Sequence, residues 1–259
     1  MGGPGAPRSG PSVRHSWCVN PRPAPRRLIA LLLVGGLAVA PAALADSGTP
    51  PKPADPPPAA ADPGATATPD GAAPAPAGSG VPGGVSVSGL QAGSGSVDIR
   101  EYVDLSSAAS GMAHQRIVRT LLSRVAAEGL GSVSLRPLIT TTDLNSTEAG
   151  CAVLAAGKQN KAWDVTAALF RAQAAGGDWV NPGVLQRIGS RIQGLKVARF
   201  VREAQGPANY SSLNAIRNEA KSAGVTVTPA FVVRGPGGTK LVSRPDNASA
   251  VIDAIKSVQ

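Results

Sequence analysis

The chain has 259 residues, a formal net charge of +9 and only 3% aromatic side chains. Its 24 Pro and 31 Gly crowd the first third, so the length overstates what folds. Residues 96–259 suffice for one domain with a real core, not two. Two histidines and two cysteines are too few to predict a metal-ligand set, and no Walker A or Rossmann glycine pattern occurs, so no cofactor is expected. Over residues 96–259 there are 19 Lys and Arg against 12 Asp and Glu, scattered and without aromatic interleaving, which argues against a nucleic-acid partner.

Residues 1–27 carry Arg8, Arg14, Arg22, Arg26 and Arg27 and no acid. An apolar run from Leu28 follows, broken by Pro41, and Ala43-Leu44-Ala45 precedes Asp46. Basic region, apolar region and small-x-small site together predict a secretory signal peptide over 1–45, and hence a secreted, periplasmic or envelope-associated protein. The alternative is an uncleaved membrane anchor over 28–45, at the lower length limit for spanning. With cleavage before Asp46, Cys18 is lost and Cys151 is the one mature cysteine. Residues 46–95, rich in Pro, Ala and Gly with few large apolar side chains, predict a disordered linker. Within them, Val85-Ser86-Val87-Ser88 alternates as an added edge strand would.

From Val97 the pattern changes. Val97, Ile99, Tyr102 and Val103 around Asp98, Arg100 and Glu101 predict a strand. Asp104-Leu105-Ser106-Ser107 supplies turn and N-cap chemistry. Met112, Ile117, Val118, Leu121, Leu122 and Val125 then predict one apolar stripe of a helix ending at Gly129. A second strand over 132–139 completes a β-α-β unit. Helices are expected over about 147–157, 160–174, 182–193, 196–205 and 210–223. Strands over 228–233 and 239–243, joined through Gly235-Pro236-Gly237-Gly238, predict a hairpin, and a helix over 247–258 closes the chain.

Three stretches resemble the DsbA-like branch of the thioredoxin-fold proteins. Tyr102-Val103-Asp104-Leu105 is similar to the strand end before the family's C-x-x-C, whose place is taken by Ser107-Ala108-Ala109-Ser110. The stretch from Ala155 through Lys158 to Trp163 resembles a turn between the family's inserted helices, and Gly224 to Val233 resembles the segment that carries its cis-proline, here Pro229 after Thr228. The resemblance implies an α/β thioredoxin-like fold over 96–259 with a helical insertion at about 145–205. It also implies a thiol–disulfide oxidoreductase ancestry.

Both family cysteines are serines here, however. Exchange chemistry needs a thiolate and a resolving thiol, which serine hydroxyls cannot replace near neutral pH. No catalytic residue is therefore expected at Ser107 and Ser110, and N-capping is their expected role. A hydrolytic arrangement of Ser110, His114 and Asp104 is the weaker alternative that their spacing raises. Cys151, in a predicted helix interior, is the possible reactive thiol of a residual oxidoreductase, against an inert buried side chain. Thr228 and Pro229 are the candidate peptide-binding residues, since strand addition requires no cysteine. The expected function is a non-catalytic module that binds an extracytoplasmic peptide or protein. The alternative is an oxidoreductase that acts weakly or through Cys151.

Overall fold

The computed structural model describes residues 80–259. The leader and most of the linker expected from the sequence lie outside the described residues. The elements are the strands β1 (Val87–Ser88), β2 (Gln91–Ser94) and β3 (Val97–Val103), the helix α1 (Ala108–Ala113), the helical turn α2 (Arg119–Leu121) and β4 (Gly131–Pro137). Then come α3 (Leu144–Gly157), α4 (Ala162–Ala175), α5 (Pro182–Gly189), α6 (Val197–Ala204) and α7 (Ala208–Ser222). The hairpin β5 (Ala230–Gly235) and β6 (Gly238–Ser243) and the helix α8 (Ala248–Val258) end the chain. This is a thioredoxin-like fold with a helical insertion after β4.

The strands form one six-stranded sheet in the order β1-β2-β4-β3-β5-β6. β3 lies parallel to β4, and β5 pairs antiparallel with the other side of β3. The two faces of β3 differ. Val97, Ile99 and Val103 point into the main core, where Ile99 sits between Val133 of β4 and Val233 of β5. Each such fully buried aliphatic side chain contributes about 1.5–3 kcal/mol relative to exposure. Asp98, Arg100 and Tyr102 point to the opposite face, which α7 covers with Ile216, Ala220 and Glu219.

The helix after β3 is longer and less regular than its apolar stripe implies. From α1 it continues through a π-helical turn at His114–Val118, α2, and a second π-helical turn at Leu122–Ala126. The wider turns rotate the stripe, so Ile117, Val118, Leu121, Leu122 and Val125 stay buried while Met112, expected among them, is 54% exposed.

The folded domain also begins earlier than residue 96. Val81 and Ala92 are buried in the core, the Gly80 N–H donates to Asp164, and β2 pairs with β4. Gln91-Ala92-Gly93-Ser94 lacks the branched and aromatic residues that mark a strand, so composition hides it. Its exit is tight. Gly95 holds φ +147°, and a Cβ there would lie 2.3 Å from the Leu130 carbonyl carbon, so only glycine fits.

Candidate functional site

The sheet delivers β3 to the N-terminus of α1, where the serines sit. Ser107 is the N-cap: its backbone is extended (φ −94°, ψ 117°) and its Oγ accepts the Ser110 N–H at 3.2 Å. Ser110 is fully buried, and its Oγ accepts the Asp104 N–H at 3.3 Å.

Asp104 is the knot of the site. Its side chain is 1% exposed and accepts four hydrogen bonds. Oδ1 takes the Ser106 N–H at 3.0 Å and the Ser146 hydroxyl at 2.5 Å; Oδ2 takes the Thr140 N–H at 2.9 Å and the Thr140 hydroxyl at 2.6 Å. One carboxylate thus joins the end of β3, the loop after β4 and the first turn of α3. Ser106 adds a second tie, its hydroxyl donating to Asp143 at 2.7 Å, while Asp143 caps α3 by accepting the Asn145 N–H.

The Ser110–His114–Asp104 arrangement raised by the spacing is not assembled. His114 Nδ1 lies 3.0 Å from Glu101 Oε2, and its ring stacks near Trp163 and tilts against Phe170. No hydrogen bond joins it to Ser110, and Asp104 is committed to its four donors. Glu101 is fully buried in a row between Leu135 and Phe231. The alternation of β3 puts Glu101 in register with Val97, Ile99 and Val103, and that was the signal for a buried acid.

Across from α1, the Thr228–Pro229 bond is cis. Thr228 precedes β5, and among the described residues its backbone N–H and C=O take no hydrogen-bond partner. The Pro229 carbonyl accepts the Arg244 N–H at 2.8 Å. Arg244 holds φ +47°, a left-handed conformation uncommon outside glycine. Its side chain lies between two cavities. One, of about 380 Å³, is lined by Ser106, Ser107, Thr140, Thr141 and Thr226 to Thr228; the other, of about 230 Å³, by Ala109, Met112, Arg116, Ile117, Pro229 and Pro245. Of the candidate residues, Ser107 and the Thr-Pro segment therefore meet around one groove, polar at one end and apolar at the other, while Ser110 is buried beneath it. Arg244 and Met112, which complete it, were not singled out as site residues in the sequence.

Cys151 is elsewhere. It is fully buried on α3 beside Leu213, and it is not a free thiol.

On the α7 face of β3 lies a further charged cluster. Glu219 accepts from the Tyr102 hydroxyl at 2.5 Å, Arg100 at 3.0 Å and Arg136 at 3.3 Å. Burial opposes charge on Glu219, but the Tyr102 hydrogen bond and the two guanidiniums outweigh it and hold its carboxyl below the usual value. Burial and the same carboxylate push the Tyr102 phenol far above its ordinary range. Among the described residues no group of His, Cys, Asp and Glu could hold a metal ion, and no helix is long and apolar enough to cross a membrane.

No protein-family model and no curated protein sequence matches this chain. Solved structures do. A thioredoxin-like oxidoreductase from Silicibacter pomeroyi DSS-3 superposes with a TM-score of 0.51 at 24% identity, covering 66% of this chain and 90% of that one. DsbA2 from Pseudomonas aeruginosa gives 0.53 at 23%, covering 68% and 97%. Oxidised BdbD from Bacillus subtilis gives 0.56 at 17%, covering 64% and 90%. At these identities the likeness establishes the fold, a DsbA-like thioredoxin fold.

Proposed function

We propose that this protein is an exported, non-catalytic DsbA-like module that binds extended peptide segments in the groove between α1 and Thr228–Pro229. The observation that carries this reading is the unpaired backbone of Thr228 at the groove's edge. An N–H and a C=O left open before a strand form the template on which an extended peptide adds, with main-chain bonds giving affinity and pockets giving specificity. The exposed Met112, flexible and polarizable, supplies an adaptable apolar contact beside them. Ser107 and Ser110 in the cysteine positions speak against thiol–disulfide exchange, as does the full burial of Cys151.

The test is calorimetric titration of the protein with a reduced, carboxymethylated unfolded polypeptide, beside an insulin-reduction assay. Saturable binding that weakens about tenfold in Met112→Glu, with no reduction above the protein-free blank, is the expected result. Insulin reduction by the wild type that disappears in Cys151→Ser would establish the oxidoreductase reading instead.

A further inference from the structure

A further cavity lies in the helical insertion and shares no residue with the groove. Ala168, Arg171, Ala172 and Ala175 fall on one face of α4 by their three- and four-residue spacing. Val184, Arg187, Ile188, Arg191 and Ile192 follow the same rule along α5 and the turn after it. Facing helices normally interdigitate and fill the space between them. Here α4 offers methyl groups and one arginine, and the two faces enclose a slot of about 400 Å³. Trp179, Val184 and Ile192, all buried, close its base.

The rim is as informative as the floor. Arg171, Arg187 and Arg191 are exposed, and none of them forms an ion pair among the described residues. One acid, Asp178, shares the rim with them. A neutral apolar ligand would leave the guanidiniums without a partner, and a small inorganic anion would leave the floor uncovered. A ligand with a single anionic head and a linear apolar tail satisfies both. Arginine's fork matches a carboxylate in bidentate geometry, and the slot has the volume of small-molecule sites.

We infer that the α4–α5 slot binds a free single-chain fatty carboxylate, its acyl chain on the alanine and Trp179 floor and its head among Arg171, Arg187 and Arg191. The inference does not depend on the peptide groove. Trp179 makes the slot self-reporting.

The full-length protein is titrated with monomeric octanoate, decanoate and decanol while tryptophan fluorescence is followed, with Trp179→Phe identifying the reporter. Decanoate should bind saturably, and each added CH₂ should tighten binding about three- to fourfold. Decanol should bind at least tenfold more weakly than decanoate. The exposed double variant Arg187→Glu/Arg191→Glu should lose at least tenfold in decanoate affinity with an unchanged circular dichroism spectrum, and Ala172→Leu should fill the slot and block binding. Three results would each overturn the assignment: decanol binding as tightly as decanoate, the double variant binding like wild type, or response to anionic phospholipid vesicles without response to monomeric decanoate. The last would make the arginines a membrane-contacting patch.

Discussion

Asp104 offers the sharpest test of how the site is held. Its carboxylate takes two backbone N–H groups and two hydroxyls, divided evenly between its oxygens. A hydrogen bond to a charged acceptor contributes about 1.5–3 kcal/mol, and a buried donor left without a partner costs about 1–3 kcal/mol. In Asp104→Ala the hydroxyls of Thr140 and Ser146 can rotate toward other acceptors. The N–H groups of Ser106 and Thr140 cannot, because the backbone aims them. Two orphaned amides and a small cavity then predict a loss of about 3–5 kcal/mol. Asp104→Asn keeps the shape and one acceptor oxygen, so its amide group must face one of the two donor pairs and orphans a single N–H. Its predicted cost is about 1.5–3 kcal/mol. Urea unfolding followed by circular dichroism gives both values, provided the denaturant slope stays constant. Hydrogen exchange at Ser106 and Thr140 should quicken in both variants. The reasoning fails if Asp104→Ala costs less than about 1 kcal/mol, or if the two variants are equally destabilised.

Glu219, whose carboxyl is held low, contributes stability that is complete above the ordinary glutamate value of 4.5 and is lost as the pH falls below it; Glu219→Gln should be less stable at neutral pH and show a flatter acid limb in a pH series of melting curves. Tyr102, whose phenol is raised, contributes in the opposite sense, so wild-type stability should decline above pH 10.0 and Tyr102→Phe should flatten that alkaline limb. Ser107→Ala should cost about 1 kcal/mol by urea titration through loss of the α1 cap, with the sheet unchanged by circular dichroism. Gly95→Ala should be far more damaging, about 3 kcal/mol or more, because its Cβ would strike the Leu130 backbone and its φ is unsuited to a side chain; soluble yield and thermal melting check this.

The elements with strong periodicity were legible. β3 runs over 97–103 as its pattern requires, β4 pairs with it in parallel, and the helices of the insertion fall within a few residues of their expected ranges. The misses have physical causes. β2 is built from Gln, Ala, Gly and Ser, whose place in the sheet comes from pairing with β4 rather than from any strand propensity. Met112 fits an ideal helical stripe, but the π-helical turns shift the stripe away from it. At the site, the Ser107 cap was readable from local sequence. Three of the four donors to Asp104 lie on residues 36 and 42 positions away, and the meeting of Ser107 with Thr228 and Arg244 depends on the whole sheet. Glu101 was visible in the strand alternation, yet the charged Asp98 and Arg100 just before it masked the fact that it faces inward.

The position of β3 in the sheet also bears on how the chain reaches its native state. β4, its partner on one side, follows after a single helix, whereas β5, its partner on the other, arrives about 130 residues later. Until β5 docks, β3 presents an open edge of unpaired amides and carbonyls above apolar Val97, Ile99 and Val103. Such an edge is a template for association between chains, and pairing over so long a separation is intrinsically slow. Folding of this protein therefore passes through a stage in which a strand that ends up in the middle of the sheet is its most vulnerable one, and a companion that shields that edge would raise its yield.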